Sequence, residues 1–159
     1  MSYLLLKFVH VASAILFVGN ITTGVFWGMH AHKNRDFRQI ASTFEGIMRA
    51  DRLFTTPGVI GLVVSGIVAA IVDQLPILGT GWILWGIVLL VIAGTVFGRK
   101  VAPLQREIVK LARAADSSEA SWQGYEQVYR GWARWGLVAL IAPAVAVLIM
   151  VMKPQLPAF

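Results

Sequence analysis

Four long apolar runs, separated by stretches that hold nearly all of the charge, constrain this chain more than any other feature. The runs cover residues 3–29, 53–72, 77–98 and 135–152. Each approaches or exceeds the ~20 residues that an α-helix needs to cross a bilayer. Charged residues make up only 14% of the chain, whereas soluble domains are about a quarter charged. The sequence therefore predicts one all-α integral membrane domain over residues 1–159, built as a bundle of four transmembrane helices.

The lysines and arginines indicate how these helices are oriented. Five lie within residues 33–52 and seven within residues 99–134, whereas the connection DQLPILGTG has none. Because basic residues are enriched in cytoplasmic loops, we expect the first and third connections in the cytoplasm and both termini outside, in a bacterial inner membrane. This distribution also accounts for the net charge of +6 without a nucleic-acid partner, for which the chain shows no binding module.

The third connection is predicted to be helical rather than a flexible loop. In VAPLQREIVKLARAAD, apolar residues recur every three or four positions from Val101 to Leu111, so the third helix should extend into the cytoplasm. Asp116 with Glu119 three residues later suggests a capping box that opens a further helix. That helix carries an aromatic stripe, which we interpret as an interfacial belt with packing rather than a docking face. The stripe consists of Trp122, Tyr125, Tyr129, Trp132 and Trp135.

The stretch LLLKFVHVASAILFVG places an ionisable residue, His10, inside the first apolar run. On a helix, His10, Ser13 and Asn20 share one stripe with Phe17 and Gly24. Lipid would leave the polar members without partners, so this stripe should face the bundle interior. A histidine within a span is costly enough that a functional role, as a haem or metal ligand or in a proton relay, is the leading hypothesis. The alternative is a structural hydrogen bond, with Ser13 or Asn20 as candidate partners.

A second ligand for an iron at His10 has several candidates. His30 lies twenty residues further along the same helix, about 30 Å away, so the two histidines cannot bind one iron within one chain. Met150 and Met152 lie near the outer end of the fourth run, at a depth comparable to that of His10. Water, an open position or a second subunit would also serve.

Two further groups of residues are candidate binding sites. Arg52, one turn before Pro57, could bind a carboxylate such as a haem propionate, although an anchor at the membrane surface or an ion pair with Asp51 or Glu45 is the favoured interpretation. Met29, His30 and His32 offer thioether and imidazole donors for copper, and Met150 and Met152 are further thioether donors for the same alternative.

The carboxylates argue against a transport function. Those nearest the membrane are predicted to lie at helix ends, whereas proton transport usually needs an acid within a span. They are Glu45, Asp51 and Asp73.

Several of these stretches resemble the CopD-like superfamily, which includes HemJ-type protoporphyrinogen oxidases and small bacterial membrane proteins of unknown function. LLLKFVHVASAILFVGN resembles its first helix, DRLFTTPGVIG its Thr-Pro helix start, and LIMVMKP the Lys-Pro end of its last helix; GWILWGIVLLVIAG continues the likeness in the third helix. The resemblance implies a four-helix bundle that binds b-type haem, with His10 as axial ligand and His30 near a second HemJ histidine. Leu84, Trp85 and Gly86 stand where HemJ-type proteins carry a histidine and a lysine, which favours the branch of unknown function.

The sequence thus predicts a small membrane protein that binds haem b in its helix bundle and has a redox or haem-handling role. We expect His10, Ser13, Asn20, Arg52 and Met150 to line the cofactor site. Protoporphyrinogen oxidation and copper handling are the alternatives, and a partner-binding protein without a cofactor is a further one. The expected partners are membrane lipid, a porphyrin or electron-transfer partner, and a second copy of the chain.

Overall fold

The computed structural model describes residues 2–116 and 118–158, and helix accounts for most of them. The helices are α1 Ser2–Lys33, α2 Phe37–Ala50, α3 Thr56–Val72, α4 Gly81–Val96, α5 Ala102–Ala114 and α6 Glu119–Met152. Two π-helical segments, Asp51–Thr55 and Phe97–Val101, join α2 to α3 and α4 to α5 without a break. The described residues therefore form four continuous helices, each long and apolar enough to cross a membrane. This confirms the predicted all-α bundle of four transmembrane helices.

The continuous helices extend well beyond the apolar runs that predicted them. The second begins at Phe37 rather than at residue 53, and the fourth begins at Glu119 rather than at residue 135. A helix of 34 residues is about 51 Å long, whereas the hydrocarbon core is about 30 Å thick. Some 20 Å of helix therefore projects from one side of the membrane. Hydropathy marks only the lipid-facing part of such a helix, which is why the predicted bounds were short.

The start of α6 differs from the predicted capping box. Ser118 is the N-cap, and its hydroxyl accepts a hydrogen bond from the Ser121 backbone N–H at 3.2 Å. Asp116 lies two residues earlier and accepts hydrogen bonds from the Ser118 backbone N–H at 3.1 Å and from the hydroxyls of Ser118 and Ser121. These bonds lower the pKa of the Asp116 carboxyl to about 2. The prediction that Asp116 and Glu119 form the box is therefore wrong, because Ser118 occupies the capping position.

The projecting parts of the helices form a closed four-helix unit, which we call the basic-end bundle. It consists of the end of α1, the whole of α2 and α5, and the first half of α6, each packed against two neighbours. Both α2 and α5 are amphipathic and bury one apolar face, as soluble helices do. The largest side chains that are completely buried all lie here: Ile40, Phe44, Ile108, Tyr125 and Trp132.

In the apolar half of the molecule the same helices are arranged differently. There α3 packs against α1 and α4 packs against α6, but α3 contacts neither α4 nor α6 among the described residues. The helices therefore form an open row, in the order α3, α1, α6, α4. We call the gap between α3 and α4 the membrane cleft.

The two π-helical segments lie where the closed bundle changes into the open row. In each case the second residue of the following helix is a proline, Pro57 in α3 and Pro103 in α5. Proline has no backbone N–H and its ring clashes with the carbonyl four residues earlier, so a regular α-helical turn is unfavourable at this point. The wider π-helical turn accommodates the ring, and the Thr56 hydroxyl donates to the Asp51 carbonyl at 3.2 Å.

Candidate functional site

The side chain of His10 lies between α1 and α3, in the apolar half of the molecule. Its Nδ1 is 2.9 Å from the backbone carbonyl oxygen of Leu62 and 3.3 Å from the hydroxyl of Ser65. A carbonyl oxygen only accepts hydrogen bonds, so Nδ1 carries the proton and donates it to Leu62. In the neutral imidazole the lone pair is then on Nε2, which is the arrangement that metal-ligating histidines usually show.

Glycines on α3 allow the polar stripe of α1 to approach closely. A Cβ atom added at Gly66 would lie 2.8 Å from His10 Cε1, and one added at Gly61 would lie 2.6 Å from the Ser13 hydroxyl. Small residues that permit such close approach are typical of helix interfaces in membranes. Ser13 therefore packs against α3, where it supports the helix contact beside His10.

Asn20, ten residues further along α1, belongs to a second polar cluster. Its amide nitrogen donates to Asp51 Oδ1 at 3.1 Å and to the Thr55 hydroxyl at 2.8 Å. Thr55 also donates to Asp51 Oδ1 at 3.0 Å, and the amide of Gln105 donates to Asp51 Oδ2 at 3.1 Å. Asp51, Thr55 and Gln105 are all buried. The cluster thus joins α1, the first π-helical segment and α5.

A small cavity lies next to this cluster, at the junction of all four continuous helices. Its volume is about 20 Å³, which is sufficient for one water molecule. Asp51, Gln105 and Trp132 supply its polar groups, and the rest of its lining is apolar or glycine. The indole N–H of Trp132 is buried without a hydrogen-bond partner among the described residues.

The position of Asp51 corrects a prediction from the sequence. It lies inside the continuous helix Phe37–Val72, not at a helix end, and it is only 8% exposed. The prediction that Asp51 lies at a helix end is therefore wrong. The sequence carries a signal for this cluster: Asp51 and Thr55 are four residues apart, which places both on one face of a helix. Gln105 gave no such signal, because its role depends on contacts between α5 and the second helix.

The remaining predicted site residues lie apart from His10. Arg52 is exposed at the surface, and Glu45, one of its expected partners, pairs instead with Arg113 at 2.6 Å. Met150 packs against Gly86 of α4. His10 and Met150 therefore belong to different helix pairs, on opposite sides of the open row.

Comparison with known proteins places the chain in a family. The profile described as "Predicted integral membrane protein (DUF2269)" matches residues 4–154, which is nearly the whole length. The chain belongs to this family. Searches of curated proteins and of solved structures found no match.

The two histidines near the end of α1 do not form a shared site in this DUF2269 member. His30 is exposed and contacts Phe26 and Trp27 on its own helix. His32 points the other way and stacks on the ring of Tyr129 with 3.7 Å between the ring centres. The predicted copper donors Met29, His30 and His32 are thus divided between two faces, and the described residues hold no group of three or more His, Cys, Asp or Glu arranged as metal ligands.

The aromatic stripe of α6 has a role that the sequence identified only in part. Four of its five members are buried and pack within the basic-end bundle: Trp122, Tyr125, Tyr129 and Trp132. His32 joins them, with its Nδ1 at 3.2 Å from the Tyr125 hydroxyl. Trp135 alone is substantially exposed, at 39%. The expected interfacial belt is therefore wrong for four residues, and the expected packing role is confirmed.

Proposed function

We propose that this DUF2269 protein binds haem b through His10 and serves in a redox or haem-handling role in the membrane. The observation that carries the proposal is the hydrogen bond from His10 Nδ1 to the Leu62 carbonyl. It holds the ring in one orientation and leaves the Nε2 lone pair for an iron. A histidine fixed in this way fits an axial haem ligand.

The surroundings of His10 fit an apolar cofactor as well. The imidazole lies in the apolar half of the molecule and is only partly buried, so it is accessible from the lipid side or from the membrane cleft. Bound haem would supply one-electron chemistry or be carried as cargo. The chain would contribute the ligand, its orientation by Leu62 and Ser65, and an apolar environment that excludes water.

The proposal assigns the other predicted residues smaller roles. Ser13 supports the α1–α3 contact beside His10, and Asn20 is engaged with Asp51 and so is not assigned to the haem. Met150 remains a second ligand only if the two helix pairs move together, so water or a second copy of the chain is the simpler choice. Arg52, exposed at the membrane surface, is available to a propionate.

The resemblance to HemJ-type proteins would add oxidation of a porphyrinogen to haem binding. We do not extend the proposal that far, because the third-helix positions that carry a histidine and a lysine in those proteins hold Leu84, Trp85 and Gly86 here. Gly86 receives the side chain of Met150. The charge distribution supports a place in a bacterial inner membrane with both termini outside, since the basic residues lie on the projecting side.

Chemical rescue of a variant tests the role of His10. We expect His10→Gly to bind no haem, and added imidazole to restore haem binding by replacing the missing ring. His30→Ala is the matched control, since it removes a histidine from the same helix without touching the site. Haem binding by His10→Gly as tight as that of the wild type, without imidazole, would sink the proposal.

A further inference from the structure

The Asp51 cluster holds a buried carboxyl group that is surrounded by neutral groups. Its hydrogen-bond partners are Asn20 from α1, Thr55 from its own helix and Gln105 from α5. From α6, Trp132 lines the same cavity, and the other lining residues are apolar or glycine. The basic residues that are nearest in sequence to Asp51 or to Gln105 and the second π-helical segment are all exposed at the surface: Arg49, Arg52, Arg99, Lys100 and Arg106. Among the described residues, none of them forms an ion pair with Asp51.

A buried carboxylate without a cationic partner is unfavourable, because its charge has lost the solvation of water. Three hydrogen bonds from neutral donors offset part of that cost but leave the negative charge in place. A bound cation or a proton would balance that charge. A cation and a protonated carboxyl group require different neighbouring groups in the cavity beside Asp51.

The indole N–H of Trp132 decides between them. Within the part of the chain that the structure describes, it is a hydrogen-bond donor without a partner, and Trp132 lines a cavity large enough for one water molecule. A donor beside the cavity favours an oxygen atom with a free lone pair and disfavours a metal cation, whose charge the N–H dipole would repel. A water molecule there has two lone pairs, so it would accept from Trp132 and from a protonated Asp51, satisfying both groups.

We propose that the junction of the four helices is an internal proton-binding site, in which the Asp51 carboxyl carries a proton and a water molecule links it to Trp132. On binding, hydronium transfers its proton to one carboxylate oxygen and becomes water; release reverses the step. The hydroxyl of Thr55 and the amides of Asn20 and Gln105 can reorient to donate to the ionised form or to accept from the neutral one. This site is separate from the haem proposal, because Asn20 lies about 15 Å along α1 from His10.

The place of this site in the fold connects proton binding to the shape of the molecule. Asp51 begins the first π-helical segment, and the cavity is also lined by Phe97 and Val101 of the second. Both segments lie where the closed basic-end bundle opens into the membrane row. Such segments are frequent at functional sites. Binding or release of a proton at Asp51 would thus change the angle between α2 and α3.

Infrared spectroscopy of the full-length protein in detergent at neutral pH tests the proposal without reference to haem. We expect the C=O band of a protonated carboxylic acid, lost in Asp51→Asn and retained in Asp73→Asn, which changes an exposed aspartate. Trp132→Phe removes the indole donor and should shift the same band. The absence of a band that depends on Asp51 would overturn the proposal.

A second measurement covers the case in which Asp51→Asn does not fold. The chain has four aspartates, and the other three, Asp36, Asp73 and Asp116, are exposed. Labelling the wild-type protein with ¹³C-aspartate should therefore shift the carboxylic acid band at neutral pH, and no shift would contradict it. The thermal stability of the wild type should be the same in Na⁺ and in choline at equal ionic strength. Stabilisation by Na⁺ would indicate a metal-cation site instead.

Discussion

A methyl group added to α3 at Gly66 tests whether the orientation of His10 governs haem binding. In Gly66→Ala the new Cβ would lie 2.8 Å from His10 Cε1 and 3.0 Å from Nδ1, whereas ordinary van der Waals contact begins at 3.4 Å. The ring must therefore shift by about 0.6 Å. The hydrogen bond from Nδ1 to the Leu62 carbonyl, now 2.9 Å long, would stretch beyond its useful range.

The loss of that hydrogen bond sets the size of the expected effect. Changes to such supporting partners typically weaken metal binding by about 10- to 100-fold, or about 1.4–2.8 kcal/mol. We therefore expect Gly66→Ala to raise the Kd for haem by that factor, measured by titrating the purified protein and following the Soret absorption.

Gly61→Ala provides the matched control. It crowds the same interface, because its Cβ would lie 2.6 Å from the Ser13 hydroxyl, but that side chain can rotate away and His10 is not touched. Both variants should lose a similar amount of stability, about 1–3 kcal/mol, as overpacked interfaces do. If the two variants weaken haem binding equally, or if neither does, the argument that Leu62 orients the ligand is refuted.

Three further predictions address the rest of the molecule. Phe44→Ala should lower the free energy of unfolding in detergent by about 3–5 kcal/mol, because Phe44 is fully buried, whereas Phe26→Ala, 60% exposed, should change it little; equal losses would contradict a packed basic-end bundle. Asp116→Asn should lower the melting temperature at neutral pH. Because folding depresses the pKa of Asp116 from 3.8 to about 2, the difference in melting temperature between wild type and variant should shrink as the pH falls below 3.8 and vanish near 2. A difference that does not depend on pH would refute this prediction. The chain has no cysteine, so Gly79→Cys should react with an impermeant thiol reagent added outside intact cells and Asn34→Cys should not; the reverse pattern would overturn the orientation.

The sequence predicts those parts of the fold that follow from hydropathy and helical periodicity. The four spanning helices are visible because lipid demands long apolar runs, and α5 is visible from its three- and four-residue spacing. The start of the second helix at Phe37 is not visible in this way, because α2 is amphipathic and its apolar face is covered by α5, not by lipid. Its burial becomes apparent only when the partner helix is in place.

The two candidate sites also differ in how far the sequence predicts them. His10 is conspicuous because an ionisable side chain within an apolar run is rare. The hydrogen-bond partners expected from the sequence, Ser13 and Asn20, are wrong, since the ring bonds to Leu62 and Ser65 of α3 instead. Which partner it takes is not predictable, since Leu62 contributes only a backbone carbonyl that any residue would supply. Asp51 and Gln105 are separated by 54 residues and meet only because two helices cross near their π-helical segments. Pro57 and Pro103 mark those segments in the sequence, but the contact between the helices arises from tertiary packing.

The central claim is that His10 binds haem, and an absorption spectrum tests it most directly. The protein would be purified in mild detergent and its spectrum recorded in the oxidised and reduced states, beside His10→Ala prepared in the same way. The account predicts a Soret band in the wild type that shifts on reduction and is lost or displaced in the variant. A wild-type protein without a Soret band, even after haem is added, would contradict the claim and leave His10 as a packing residue between α1 and α3.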